Sequence, residues 1–228
     1  MKTSLAILAC LVGTTILSAE ESGFEPIFNG KDFTDWDSRP GAWKIVDGEI
    51  HCAGTSEGKN WLIWRKEQPA NFILRLEFKW DSGNSGVQVR SDDLGDWQIF
   101  GYQVEVAAQD VMGLWHHSLL SKEHPTKEAR HLMTTAGQTA EISDSSVRTV
   151  TQDAETTEIQ SHYREGEWNS MEIIAYGNTL TQKINGVLFA TLIDHDPGMG
   201  RESGWIALQD HGKNCQVAFR NLRIKKLP

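Results

Sequence analysis

Cysteine is scarce in this 228-residue chain, at three copies, and proline is little commoner, at six. Neither Cys52 nor Cys215 stands in a CxxC or CxH pattern, which argues against a thiolate metal site. In an oxidising compartment the pair makes one disulfide or two buried free thiols, and the sequence leaves both open. Basic residues are also short, 22 against 31 acidic ones, and the net charge of −9 argues against a phosphate-backbone ligand and offers no attraction to an anionic membrane. No apolar run approaches the roughly 20 residues that a spanning helix needs. Long amphipathic helical patterns are missing too, which argues against helix bundles and against strand–helix alternation of the α/β kind.

What is present begins with a leader. Lys2, the apolar run from Leu5 to Leu17, and Ser18-Ala19 read as a secretory signal over residues 1–19, so the chain is expected to be exported, periplasmic or secreted. A lipid-attachment reading of Ile7-Leu8-Ala9-Cys10 has only about five apolar residues ahead of it, against the usual run of roughly 7–15. Residues 20–228 then form one expected domain, within the size that all-β sandwiches reach as single units.

From residue 23 onward the dominant period is two. Phe72 to Trp80 alternates large apolar residues with Arg75, Glu77 and Lys79, the mark of a half-buried antiparallel strand. Similar runs occupy Trp43–Val46, Glu49–Cys52, Gly86–Arg90, Tyr102–Val106, Met171–Ala175, Thr179–Ile184, Val187–Leu192, Gly204–Gln209 and Val217–Ile224. Asp47-Gly48 and Asn185-Gly186 supply the positive φ pairs of two-residue hairpins, and the first implies Ile45 opposite Ile50 and Trp43 opposite Cys52. Many short strands without crossover helices predict two packed antiparallel sheets, a sandwich or jelly roll. The polar stretch from Trp115 to Arg164, patterned only at Thr139–Ile142 and Val147–Val150, reads as a long excursion over one sheet.

Six segments in order then spell a family: Phe28-Asn29-Gly30-Lys31-Asp32-Phe33 with Trp36, Asn84 to Arg90, Gly101 to Glu105, Gly166-Glu167-Trp168-Asn169, Ile184-Asn185-Gly186, and Leu208-Gln209-Asp210-His211-Gly212. Over residues 24–227 the chain resembles the 3-keto-disaccharide hydrolase-like domain. The resemblance implies an all-β, concanavalin A-like jelly roll of two antiparallel sheets whose curved inner sheet forms a sugar groove. It also implies cleavage of glycosides oxidised at C3. Relatives often read Gly-Tyr-Glu-Val-Gln at 101–105, so carboxylate and amide stand exchanged at Gln103 and Glu105 here. The E-x-D-x-x-E strand of laminarinase-like enzymes, which would signal two-carboxylate glycosidase chemistry, is absent.

Alternation picks out the same site from the residues alone. Gln88 and Arg90 oppose Val87 and Val89; Gln103 and Glu105 oppose Tyr102, Val104 and Val106; Gln209 and His211 oppose Ile206 and Leu208. If the three strands are neighbours, these six form one polar patch on an otherwise half-buried sheet. An ordinary solvated sheet face explains such a patch as well, but Gln, Arg, His and Glu replace the usual Lys, Thr and Ser, and Gly86 and Gly101 allow close approach of a ligand. A C3 ketone acidifies the C2 proton, so elimination needs a base, an oxyanion stabiliser and an acid. His211 or Glu105 is the expected base, Arg90 the enolate stabiliser, and Gln88, Gln103 and Gln209 the binders, with Trp97 and Trp115 stacking on the sugar. Trp36, Trp43, Trp80 and Trp168 are expected between the sheets, and Trp61 and Trp64 beside loops.

No cofactor follows with certainty from these residues. A divalent metal stays open, with Trp115-His116-His117, Asp92-Asp93-x-x-Asp96 and Asp194-His195-Asp196 as weak candidates that lack ligand spacing. The expected partner is carbohydrate, with no nucleic acid and no membrane span; oligomeric state is left open. The same jelly roll also serves non-catalytic, lectin-like glycan binding, the second function that the residues allow.

Overall fold

The computed structural model describes residues 23–117, 130–212 and 214–228; the expected leader over 1–19 and its Cys10 variant lie outside these residues. Among the described residues the strands run in chain order as β1 (Glu25–Pro26), β2 (Trp36–Asp37), β3 (Trp43–Val46), β4 (Glu49–Cys52), β5 (Asn60–Trp64), β6 (Phe72–Ser82), β7 (Ser85–Gly95) and β8 (Gln98–Val106). They continue as β9 (Gly113–His117), β10 (Leu132–Thr135), β11 (Gln138–Ile142), β12 (Arg148–Gln152), β13 (Asn169–Tyr176), β14 (Thr179–Ile184), β15 (Val187–Asp194), β16 (Trp205–Asp210) and β17 (Gln216–Lys226). One short helix, α1 (Thr156–Gln160), precedes β13. No helix among the described residues is long and apolar enough to cross a membrane.

The strands make two sheets. The larger has ten, in the order β12-β11-β15-β14-β13-β6-β17-β4-β3 with β1 paired to β17; the smaller has seven, in the order β10-β9-β8-β7-β16-β5-β2. This is the jelly-roll sandwich that alternation predicts. The Asp47-Gly48 turn sets Ile45 opposite Ile50 and Trp43 opposite Cys52, as its two-residue loop requires, with Asp47 at φ 52°. Between the sheets lie Phe72, Leu74, Leu76 and Phe78 from β6, facing Val87 and Val89 of β7, Val104 of β8 and Leu208 of β16.

Three expectations need correction. The stretch from Trp115 to Arg164 is not only an excursion over one sheet: its described residues build β10 at the edge of the smaller sheet and β11 and β12 at the edge of the larger. The two patterned pieces, Thr139–Ile142 and Val147–Val150, fall at β11 and β12, whereas β10 (Leu132–Thr135), whose burial does not alternate, left no pattern to read. The sandwich is also not wholly antiparallel, since β11 runs parallel to β15 with Ala140 opposite Leu192. Finally, of the four tryptophans placed between the sheets, Trp36 and Trp43 are buried there and Trp80, half-buried, packs against that core, whereas Trp168 lies under the Arg220 guanidinium, 3.9 Å from its ring.

Candidate functional site

The smaller sheet brings β8, β7 and β16 side by side, so the condition on which the polar patch depends is met. Register sets Glu105 opposite Gly86, Gln103 opposite Gln88, and Gln88 opposite Ala207, while on the other flank Gln209 faces Trp61 of β5 and Gln103 faces Trp115 of β9. Cross-strand partners share a face. Gln88, Gln103, Glu105 and Gln209 therefore cluster on the face turned away from the core, and all four are buried.

One amide group organises the cluster. The Gln103 Nε2 donates to Glu105 Oε2 at 2.6 Å and to Gln209 Oε1 at 3.0 Å, and Asn84 Nδ2 donates to the other Glu105 oxygen. Ser91 Oγ donates to Gln88 Oε1 at 2.8 Å. Among the described residues Gln88 Nε2, Gln103 Oε1 and Gln209 Nε2 have no hydrogen-bond partner, although buried amides are nearly always satisfied. Two donors and an acceptor thus face the same small region as a carboxyl group. Burial raises the Glu105 pKa to about 7, against the opposing effects of the Gln103 and Asn84 hydrogen bonds and the Lys59 charge.

Gly86 and Gly101 serve this cluster differently from the expectation. A Cβ on Gly86 would lie 2.6 Å from the Gln103 side chain, and one on Gly101 would strike Ser91, with its Cα at 2.8 Å. Their missing side chains make room for Gln103 and Ser91, so the space is filled by the protein's own groups.

Arg90 is not part of the patch. Between Val89 and Asp92 the β7–β8 register slips, and Arg90 takes φ 47°, a left-handed conformation that places two residues against one on the partner strand. The bulge reverses parity, so that Ser91 occupies the polar face and Arg90 turns towards the loops of the larger sheet. There its guanidinium donates to the carbonyls of Ala70 at 2.7 Å and Gly177 at 2.6 Å. It clamps two loops of the larger sheet. Replacing Arg90 with alanine is expected to lower stability by about 2–3 kcal/mol, through loss of its charge-assisted bonds to the Ala70 and Gly177 carbonyls, and to leave kcat of the folded protein unchanged. Denaturant titration beside turnover at a permissive temperature checks this.

His211 lies one residue past β16, on the same side as Gln209, and is exposed. The β16–β5 register ends at Asp210 opposite Asn60, and the residues just beyond it, His211 and Lys59, lie close enough for the Lys59 charge to act on the imidazole. Although the residue as a whole is exposed, partial desolvation of its ring and then the Lys59 charge push its pKa below the usual value, against Asp210, which raises it. Lys59 itself is lowered by burial and raised by Glu105. Lys59 is thus the cation electrostatically coupled to both titrating groups, and the sequence reading passed over it. Only parity ties it to the site, since Lys59 is in step with Trp61 and Ile63, and Trp61 lies opposite Gln209.

Trp115 shares the face of Gln103 on β9, with its indole N–H bonded to the Val111 carbonyl at 3.1 Å. Trp97 is elsewhere. The tip of the β7–β8 hairpin folds across to β5, where the Trp97 carbonyl accepts the Trp61 amide at 3.2 Å and Gln98 Nε2 donates to the Lys59 carbonyl at 2.8 Å. Ile99 of this arm packs on Trp61, Ile63 and Ala207, and the Trp97 indole donates to Asp37 at 3.0 Å. The two tryptophans therefore do not bracket one groove. Trp61 is buried under the arm, and Trp64 belongs to the core between the sheets.

The candidate cation loops are occupied by arginines. Asp93 pairs with Arg65 at 2.6 Å and Asp92 with Arg201 at 2.8 Å; Asp194 and Asp196 both pair with Arg130, at 2.8 and 3.1 Å. In the Trp115-His116-His117 run, His116 points to the core side, edge-on to Tyr102 with ring centroids 5.6 Å apart.

Comparison with known proteins agrees with this architecture. The sequence profile of the 3-keto-alpha-glucoside-1,2-lyase-like domain matches residues 23–225. A Parabacteroides distasonis protein assigned by name as a glycosyl hydrolase superposes with a TM-score of 0.58 at 20% identity, over 90% of this chain and 99% of its own. The carbohydrate-binding module CBM66 of Bacillus subtilis superposes with a TM-score of 0.54 at 13% identity, over 84% of this chain and 96% of its own. A Bacillus licheniformis beta-glucanase gives 0.50 at 10% identity, over 90% and 97%. At these identities the likeness is one of fold. No curated protein matches the sequence.

Proposed function

Because the chain belongs to the 3-keto-alpha-glucoside-1,2-lyase-like domain family, we propose that it is an exported enzyme that cleaves 3-keto-glycosides on the seven-stranded sheet. One observation carries the reading: a buried carboxyl with its pKa near 7, beside three amide atoms that have no partner among the described residues and suit sugar hydroxyls. An ordinary wet sheet face would neither bury these groups nor leave them unpaired.

The residues divide the chemistry as follows. His211, kept neutral at neutral pH by its lowered pKa, takes the C2 proton next to the ketone. Lys59 stabilises the enolate oxygen that develops at C3, the part that the sequence reading gave to Arg90. The electron pair then forms the C1–C2 double bond as the C1–O bond breaks, and protonated Glu105 gives its proton to the departing oxygen. Addition of water across the double bond releases the 3-keto sugar. Gln88, Gln103 and Gln209 hold hydroxyls, and Trp115 offers an apolar face to the ring.

Incubation with a 3-keto-glucoside is expected to release aglycone, while the unoxidised glucoside stays intact. Saturable binding of the keto-sugar without release would instead establish the lectin-like reading, which the fold likeness to a carbohydrate-binding module supports. Because base and acid must be neutral together, kcat/KM should follow a bell, rising as His211 loses its proton and falling as Glu105 loses its own around pH 7. His211→Ala should abolish the acidic limb; a variant that retains both limbs removes His211 from the mechanism.

A further inference from the structure

Behind the polar cluster, on the side of the core, two cysteines meet. Cys52 ends β4 of the larger sheet, and Cys215 precedes β17, at the close of the loop that begins with His211. Their Sγ atoms lie 2.9 Å apart, and both residues are buried. That separation is inside the roughly 3.5–4.0 Å at which even carbon atoms rest in contact. It needs little movement to reach the ~2.05 Å of a covalent S–S bond.

We infer that Cys52 and Cys215 form a structural disulfide that ties β4 to the loop carrying His211. The step is an exchange: the two thiols give two protons and two electrons to a disulfide oxidant such as oxidised glutathione, through a mixed disulfide, and that oxidant leaves as two thiols. Burial, foremost, pushes the Cys52 thiol well above its usual range, so the folded protein exchanges slowly in either direction. The bond therefore forms while the chain folds and afterwards resists reductants.

A metal is the competing occupant, because ligand atoms of Cys52, Asp210 and Cys215 lie within 4.8 Å of one another. The geometry goes against it. Two thiolates on a tetrahedral zinc, each at ~2.3 Å, stand about 3.7 Å apart, well beyond the distance found. Asp210 is also engaged, its Oδ2 accepting from Asn60 at 3.2 Å and its Oδ1 from the Gly212 amide at 3.0 Å.

The bond reaches the site through backbone. Cys215 Sγ is 3.3 Å from the carbonyl of Asn84, whose side chain holds Glu105, and Cys52 Sγ is 3.8 Å from the carbonyl of Gln209. Closing a loop between positions 163 apart in sequence removes much freedom from the unfolded chain.

The test is to refold the chain in a glutathione redox buffer, quench with iodoacetamide and map peptides without reductant. A linked peptide pair holding Cys52 and Cys215, two hydrogens lighter than the sum, and a Tm about 10 °C above that of chain refolded with excess reductant are expected. Full alkylation of both cysteines after oxidative refolding overturns the inference, as does stoichiometric zinc released by Cys52→Ser or Cys215→Ser. The double variant C52S/C215S should fold to the same circular dichroism spectrum with a Tm indifferent to reductant. A reductant-dependent Tm in that variant would also overturn it.

Discussion

Glu105→Gln is expected to lower kcat for a 3-keto-glucoside by about 10²–10⁴-fold, the usual worth of a positioned acid, while stabilising the fold at alkaline pH. The stability effect follows from linkage. The folded carboxyl, buried beside Gln103 and Asn84, titrates at about 7 against a reference of 4.5. A raised pKa means that the folded chain holds a proton which the unfolded chain gives up, so its contribution is fully present below about pH 4.5 and is lost as pH rises through 7. Roughly 2.5 units correspond to about 3 kcal/mol between those limits. Glutamine has nothing to titrate. Denaturation of the two proteins at pH 5 and pH 8 should show the variant gaining on the parent by about that amount; a difference that does not change with pH refutes the buried, near-neutral carboxyl.

Arg130→Met should cost about 3–5 kcal/mol, the price of leaving buried charges without a partner. Arg130 is fully buried and donates to both Asp194 oxygens, at 2.8 and 2.9 Å, while Asp196 stands 3.1 Å away. Tyr102 donates to the same Asp194 carboxylate at 2.6 Å. Burial by itself would raise Asp196, yet Ser146, the amides of Gly198 and Met199, and Arg130 hold its pKa at about 2. With a depressed pKa, the stability that this group adds in the parent is present above about pH 4 and fades as pH falls towards 2. In the variant the sense reverses: acid should partly restore stability by neutralising carboxylates that have lost their cation. Pairing Arg130→Met with Asp194→Asn should recover part of the loss. Urea titration of the single and double variants decides it, and a loss below 1 kcal/mol would show that the network bears little of the fold.

How much of this lay in the sequence depends on what each strand touches. Where one face is core and the other is not, alternation was sufficient: the faces of Gln88, Gln103, Glu105 and Gln209 followed from parity, and the Asp47-Gly48 turn alone set a register. The exchange of Gln103 and Glu105 relative to relatives also finds its explanation here. The two side chains lie on one face and share a hydrogen bond, so the carboxyl moves one pleat along β8 without leaving the cluster. Arg90 was misplaced because a bulge changes parity without changing composition, and a positive φ at an arginine has no mark in sequence. Strand β5 went unread for a related reason. Its residues, Asn60 to Trp64, are buried on both faces, one by the core and the other by the folded-back hairpin arm, so polar and apolar positions do not alternate and Lys59 at its head was missed.

The position of β17 sets a condition on how this chain comes to exist. The last strand of the sequence lies inside the larger sheet, between β6 and β4, and also holds β1 through Glu25 opposite Ile224. Until residue 226 is available, β6 lacks one of its two neighbours, β1 has nothing to pair with, and the sheet stands as two open halves. The larger sheet therefore closes only once this strand is in place, and pairings so distant along the chain close slowly.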